Sequence, residues 1–515
     1  MKPDYLMKRV VKLCIFLTIF FSGCAHHEDQ KPIIFTPIDL DLFSKNLKGF
    51  NLLGKFDVDW SNYGFTEEEF IITKDLGFNF VRLPLDYRTY TQPGNWDVFL
   101  ESQVAEIDKA IEWGKKYSVH VCICLHRAPG YCVNQITTLP ANQDLDLWTN
   151  TTAQEAFANH WAYFANRYKD VPNTELSFNL VNEPGDMDET TYVNVMQKAI
   201  DKIQSINPNR VIFVDGLNSA RNIVLSLKNT KNIIQAIHVY DPFTLTHYKA
   251  SWVQGSDTWP VPVWPMTDIS QYLYGPGKSE YHSSLVLEGN FLKDSEIIIN
   301  VQQVSIQSTL QIKLDDSEIF NKAFLCGPDL GEDWTEILLT QWGYQNISMK
   351  DYSVVLPADG TRLTITNTEG DWMTINKITI KSGASEVIII PGNTTWGAKQ
   401  DTYKITSEGK ITDVNGNPVL ALNTLTNTLK DARSESIPVM IQEFGVYNQT
   451  PHDVTLAYLT DVVSVFNKNK VGYAMWNLIG SMGIINSERT DFTYEQYRGK
   501  LLDREMTTIM QSTGN

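Results

Sequence analysis

Leu176-Ser177-Phe178-Asn179-Leu180-Val181-Asn182-Glu183-Pro184 begins as a buried strand and stops at a carboxylate held between an amide and a proline. Apolar residues alternate with small or polar ones, the period of a pleated strand. Pro184 cannot extend a sheet, because it lacks an N–H and biases the residue before it towards extended geometry. Asn182 and Glu183 therefore stand at the carboxyl end of a strand. Parallel α/β barrels and open sheets gather their reactive side chains at such ends. Alone, the tripeptide fits equally well a strand end whose glutamate faces water.

Working outward, strand and helix patterns alternate from about residue 47. Strand patterns cover 48–53, 79–84, 120–126, 175–181, 211–215 and 234–240, and helical patterns cover 67–76, 103–116, 152–168 and 192–206. The 103–116 stretch is clearly amphipathic, with Val104, Ile107, Ala110, Ile111 and Gly114 on one face. From 277 to 395 the helical period gives way to two-residue alternation, as in Thr309-Leu310-Gln311-Ile312-Lys313-Leu314. The barrel pattern then resumes with a helix over Leu420–Ala432, strands at 439–442 and 472–477, and a closing helix near Arg498–Met510.

Eight strands with one excursion after the sixth predict an α/β fold, a (β/α)8 TIM barrel. The excursion is an inserted all-β jelly-roll or β-sandwich module between strands six and seven. The expected domains are a signal peptide (1–23), a tether (24–46), the barrel (47–276 and 396–515) and the module (277–395).

The 515 residues carry a net charge of −17, which argues against nucleic acid and anionic lipid as partners. Lys8, Arg9 and Lys12 precede an apolar run from Leu13 to Phe21 that is too short to span a bilayer. It ends in Phe21-Ser22-Gly23-Cys24, which resembles a bacterial lipobox and implies cleavage before Cys24 and its acylation. A bacterial lipoprotein, exported to the outer membrane, cell surface or periplasm and touching membrane through that anchor, is expected, as is a monomer. Cys122 and Cys124 lie two apart in a strand, so they face one side and are poorly placed to bond each other. A bridge involving Cys132 remains open in an oxidising compartment, and Cys326 lies within the module. No Cys or His spacing resembles a metal site, and neither metal nor cofactor is expected.

Val439-Met440-Ile441-Gln442-Glu443-Phe444-Gly445 is a second apolar run that carries a carboxylate near its end. Two such glutamates are what glycoside hydrolysis requires: one protonated beside the leaving oxygen, one charged opposite the anomeric carbon. The other strand ends carry Arg82, His126, Asn182, His238, Tyr240 and Trp476. Each has an ordinary structural explanation alone, but as a set they are harder to dismiss.

Six motifs together resemble a family 5 glycoside hydrolase. They are Val81-Arg82-Leu83-Pro84, Leu125-His126-Arg127-Ala128-Pro129-Gly130-Tyr131, Asn182-Glu183-Pro184, His238-Val239-Tyr240, Gln442-Glu443-Phe444-Gly445 and Met475-Trp476-Asn477. The resemblance implies Glu183 as general acid/base and Glu443 as nucleophile of a retaining pair. It further implies that Arg82 and Tyr240 hold Glu443 ionised and that Asn182 binds the sugar 2-hydroxyl. His126 and His238 would position the sugar and carboxylates, with Trp476 as the floor. Arg127 stands where relatives vary, a position open to substrate contact. Tyr131 and Asn134 should border the site. Trp259 and Trp264, in a Pro-rich loop, are either cleft platforms or core tryptophans.

The module resembles carbohydrate-binding jelly rolls more weakly, with Trp334, Trp342 and Trp372 as candidate platforms. It is a binding module, a lid or a spacer. The implied activity is a retaining endo-β-1,4-glucanase acting on β-linked polysaccharide or oligosaccharide. A β-mannanase or another β-glycanase or β-glucosidase is the enzymatic alternative, and a non-catalytic cell-surface glycan-binding protein is the alternative of another class.

Overall fold

The computed structural model describes residues 38–133, 145–328 and 334–513. Its centre is eight parallel strands: β1 (Lys48–Asn51), β2 (Phe80–Asp86), β3 (His120–Ala128), β4 (Leu176–Asn179), β5 (Ile212–Asp215), β6 (Ile233–Val239), β7 (Val439–Phe444) and β8 (Gly472–Met475). Each pairs with its neighbour in chain order, β8 returns to β1, and the barrel closes.

Strand alternation divides these residues between two environments. Val81, Leu83, Val121, Ile123, Phe178, Val214 and Ile441 belong to the large core between barrel and helices. Phe80, Cys122, Phe213, Ile234, Met440 and Ala474 form a separate apolar cluster at the foot of the barrel. One layer higher, Asn51, Arg82, Asn179 and Asp215 are all fully buried. Apolar below and polar above, the interior leads towards the carboxyl ends.

The α-helices of six or more residues are α1 (Leu40–Lys45), α2 (Glu67–Asp75), α3 (Glu101–Tyr117), α4 (Thr151–Arg167), α5 (Glu189–Ile206), α6 (Asn423–Ser434), α7 (His452–Asn469) and α8 (Arg504–Gln511), among the described residues. Two segments differ most from the sequence reading. Residues 40–45, assigned there to the tether, form α1, whose Leu40 and Phe43 cover the apolar foot. Gly472 opens β8 because the Ser44 carbonyl occupies the space a Cβ would need. The closing helix starts at Arg504, not Arg498, because 495–502 forms a hairpin and Asp503 caps the helix through Met506 N. After β5 the chain makes short turns rather than a full helix. Gln235, facing outward from β6, pins that segment by bonding both N–H and C=O of Val224 at 2.7 and 2.8 Å.

The module lies between β6 and α6, as two antiparallel-rich sheets. One contains strands 272–274, 372–382, 296–305 and 343–355; the other contains 317–325, 307–314, 360–370, 285–291 and 402–405. Ile297, Ile299, Leu310, Ile312, Leu363, Ile365 and Ile378 fill the space between them. Its limits are wider than 277–395: Ile269, Leu273 and Val419 belong to the same core, so the module spans about 267–419. Trp372 is buried and Trp334 is packed against this core, whereas Trp342 is 68% exposed. Trp396 is 49% exposed and ringed by Tyr272, Tyr274, Tyr281 and Trp372 at 5.3–6.3 Å. Among the described residues no helix is long and apolar enough to cross a membrane.

Candidate active site

Arg82 organises the upper barrel. Its Nε donates to Asn179 Oδ1 at 2.9 Å, Nη1 to Asn51 Oδ1 at 3.0 Å and Glu443 Oε1 at 2.6 Å, and Nη2 to Asn182 Oδ1 at 2.7 Å. A planar guanidinium suits this role, because its donors leave in fixed directions. The second oxygen of Glu443 accepts from Tyr240 Oη at 3.0 Å. Glu443 is 3% exposed. Asn51 is itself held, since its Nδ2 donates to the carbonyls of Gln442 and Met475.

Glu183 approaches from the other side. Its Oε1 lies 2.9 Å from His238 Nδ1, and that nitrogen is 3.7 Å from Glu443 Oε2. One side-chain ligand atom from each of Glu183, His238 and Glu443 falls within 4.8 Å of the others. The backbone of Glu183 departs from the extended geometry expected before Pro184, with φ at +47°. This left-handed conformation is uncommon outside glycine. Two hydrogen bonds hold it: the N–H donates to Asp215 Oδ2 at 2.8 Å and the carbonyl accepts from Tyr131 Oη at 2.6 Å. Asp215 is absent from the sequence-derived set, although its position as the last residue of a strand was visible.

Electrostatics follow from burial and crowding. Burial alone would discharge His238, but Glu443, Asp215 and Glu183 outweigh it and raise its pKa above the ordinary histidine value. Burial pushes the Glu443 carboxyl up, opposed by His238 and Arg82. Both oxygens of Glu443 nonetheless accept hydrogen bonds, contacts that favour the carboxylate. Burial, reinforced by Arg127, Arg82 and His238, drives His126 well below its usual value. Glu183, His238 and Glu443 are the group that could surround a cation. A cation there would have to share the Glu443 carboxylate with the Arg82 and Tyr240 donors.

Aromatic rings stand on both sides of the carboxylates. Trp476, joined to Asn477 by a cis peptide, is half-buried, with its ring 5.7 Å from His126 and 5.2 Å from Phe56. Phe56 in turn meets Trp60, which is 66% exposed. Beyond Tyr240, His247 lies at 5.1 Å, stacked on Phe243 at 4.0 Å and near exposed Trp252. Trp259 touches Phe243 at 6.2 Å, on the rim. Trp60, Trp252 and His247 lie in loops and Phe56 on the short strand Lys55–Asp57, none with a periodic signal, and all four were missed.

Trp264 does not join the cleft. Its Nε1 donates to Asp461 on α7 at 2.7 Å and its ring packs edge-on against Tyr458, so it is a structural tryptophan. Arg127 is likewise engaged elsewhere: it bonds the Phe56 carbonyl at 2.7 Å and Asp57 at 3.0 Å, bracing the loop that carries Phe56. Asn134 and Cys24 lie outside the described residues. Cys122, Cys124, Cys132 and Cys326 form no disulfide, and burial raises the Cys122 thiol to about 12.

Residues 36–272 match the family model described as Cellulase (glycosyl hydrolase family 5), a span that includes Glu183 but ends before Glu443 and Trp476. Endoglucanase C of Acetivibrio thermocellus is 30% identical over 196 residues, covering 37% of this chain and 54% of that enzyme. The chain thus spans about half the length of that relative. A glycoside hydrolase crystal structure superposes with a TM-score of 0.56 at 23% identity, covering 90% of this chain and 98% of the other. Cel5A of Thermotoga maritima, solved with mannotriose, superposes at 0.51 with 16% identity, covering 92% of this chain and all of its own. These two structures share the fold. The glycosyl hydrolase family 5 match thus lies over the first six strands of a barrel that the two strands after the insertion close.

Proposed function

We propose that the protein hydrolyses β-1,4-linked glucan internally and with retention of configuration. Glu183 gives its proton to the glycosidic oxygen as Glu443 attacks the anomeric carbon; the C–O bond to the leaving sugar breaks and a glycosyl–Glu443 ester forms. Glu183, now a carboxylate, takes a proton from water, which attacks the same carbon and releases Glu443. The observation that carries this reading is the spacing of the two carboxylates, whose ligand atoms lie within 4.8 Å. Retaining pairs stand about 5–5.5 Å apart, and inverting pairs are wider because a water must fit between them.

Two buried nitrogens without hydrogen-bond partners support the same reading. Asn182 Nδ2 has no partner while its Oδ1 is fixed by Arg82, so the amide is aimed and free to meet a sugar 2-hydroxyl. His126 Nδ1 is also without a partner, beside Trp476. The ring of Trp476 offers an apolar face to the C–H side of a pyranose. In the module, Trp342 and Trp396 are the exposed rings for holding a polymer. Export and acylation at Cys24 place the enzyme on a membrane surface, to be checked by labelling wild type and Cys24→Ala with radioactive palmitate.

The direct test is activity on soluble glucans, mannans and xyloglucan, with product sizes followed over time and the first-released anomer read by NMR. Internal cleavage of β-1,4-glucan giving the β-anomer is expected. Release of the α-anomer refutes the mechanism, preference for mannan refutes the substrate, and binding without turnover identifies a glycan-binding protein instead.

A further inference from the structure

Asp215 closes β5, is wholly buried and cannot reach substrate, yet it touches the candidate acid/base by two routes. Its Oδ1 accepts from Asn179 Nδ2 at 2.7 Å, and its Oδ2 accepts the Glu183 backbone N–H at 2.8 Å. That same Oδ2 faces His238 Nε2 at 3.5 Å and Arg82 Nη2 at 4.0 Å. His238 Nε2 is buried and has no hydrogen-bond partner, so the Asp215 carboxylate at 3.5 Å is a charged neighbour in position to receive its hydrogen.

A neutral imidazole carries a single N–H, and its surroundings decide which nitrogen holds it. A carboxylate beside Nε2 favours the hydrogen there, since the other tautomer would turn a lone pair towards negative charge. Nδ1 then becomes the acceptor. Its 2.9 Å contact with Glu183 Oε1 holds one proton, as carboxyl and neutral ring or as carboxylate and imidazolium. With the opposite tautomer, a neutral ring would donate from Nδ1 to Glu183 Oε1 and so favour the carboxylate over the acid.

We propose that Asp215 is a positioning residue for proton transfer. It sets His238 with its hydrogen on Nε2 and anchors the left-handed turn of Glu183, so that the Glu183 carboxyl and His238 Nδ1 share one proton. The inference rests on Glu183 being the acid/base.

The other charged and titratable groups facing this pair come from several elements. Glu443 from β7 is matched by Arg82 from β2. His126 from β3 is kept neutral by burial, and burial likewise lowers His247 to about 4. Tyr131 and Tyr240 are phenols, both raised by burial and by neighbouring carboxylates. Asp215 is therefore the surplus negative charge, and it favours keeping the shared proton.

The test compares wild type with Asp215→Asn in the full chain, using two substrates. A cello-oligosaccharide leaves as a poor alkoxide and needs the acid; a 2,4-dinitrophenyl β-glycoside leaves as a stable anion and does not. In the variant, kcat/KM on the oligosaccharide should fall at least about 30-fold more than on the dinitrophenyl glycoside, within the range of general acid catalysis. The alkaline limb of its pH profile should move to lower pH. Equal losses on both substrates with an unmoved limb would mark Asp215 as merely structural and overturn the proposal.

Nitrogen-15 NMR of histidine-labelled wild type, with His238→Gln for assignment, gives a readout independent of the variant's folding. At the pH of maximal activity, where the pair still holds its proton, Nε2 should carry a hydrogen, and finding Nε2 bare with the hydrogen on Nδ1 alone overturns the proposal. A wild type inactive on both glycosides refutes the acid/base reading instead, while the NMR result still decides the tautomer.

Discussion

The guanidinium of Arg82 and the carboxylate of Glu443 meet at 2.6 Å, though 361 residues separate them in the chain. Neither is accessible: their side chains are 0% and 5% exposed. Removing one partner of such a pair leaves an uncompensated buried charge, which costs about 3–5 kcal/mol. Arg82→Ala should therefore destabilise the fold by about that much as well as abolish turnover. Arg82→Lys should retain more stability but lose activity, since an ammonium cannot reach four acceptors in one plane. Urea unfolding alongside kcat/KM checks both, and an alanine variant within about 1 kcal/mol of wild type would contradict the burial argument.

The two glutamates can be told apart chemically. In Glu443→Ala, azide can enter the vacated space and attack an activated β-glycoside from the face opposite its leaving group, giving the α-glycosyl azide. In Glu183→Ala the ester on Glu443 still forms, and azide attacking it gives the β-glycosyl azide. NMR of the products identifies each role. The same anomer from both variants, or near-normal hydrolysis by either, refutes the assignment.

Acid should weaken the fold through histidines remote from the site. His120 and His160 are buried, and burial lowers both to about 4 from an ordinary 6.5. Between pH 6.5 and about 4 the unfolded chain binds protons that the native state refuses, so stability falls as pH falls, by up to about 3 kcal/mol for each. His238 acts in the opposite sense. Its raised pKa gives stability at low pH that is lost as pH rises through its folded value. The Tm should drop from pH 6.5 towards 4, and His160→Gln, able to keep bonds to Tyr90 and Trp96, should flatten the drop. An unchanged slope in that variant would contradict the assignment.

Much of the barrel was legible because its strands are short apolar runs ending in polar residues, and closure brings those ends together. Arg82, Glu183, His238 and Glu443 could be named from that rule alone. Asp215 obeys the same rule and was overlooked because Val211-Ile212-Phe213-Val214-Asp215 carries no tripeptide signature. Trp60 and Trp252 could not have been found, since a loop tryptophan has no period to say which way it faces. Trp264 misled for the same reason, and the carboxylate that fixes it, Asp461, lies 197 residues further on. Glu183 shows a local rule overridden: Pro184 disfavours helical geometry before it, yet two tertiary hydrogen bonds select the left-handed turn.

If the module holds polymer, its exposed rings carry the binding. Trp342 sits at a hairpin tip and Trp396 is fixed by four surrounding rings, so each is presented rather than buried. Trp342→Ala and Trp396→Ala should each weaken binding to insoluble glucan about tenfold, or ~1.4 kcal/mol. Turnover of a short soluble oligosaccharide should not change. Depletion isotherms that match wild type for both variants would leave the module as a spacer.

The limits of the module make a sharper prediction. A segment cut at 277–395 lacks strand 272–274, which pairs with 372–382, and strand 402–405, which pairs with 285–291. It would also lose Ile269, Leu273 and Val419 from the core and expose the apolar residues they cover. Edges opened in this way are templates for aggregation. Residues 267–419 expressed alone should therefore melt cooperatively and stay monomeric, whereas 277–395 should aggregate or show no cooperative transition. Equal thermal stability of the two segments would mean that the flanking strands belong energetically to the barrel, and that the shorter sandwich is complete.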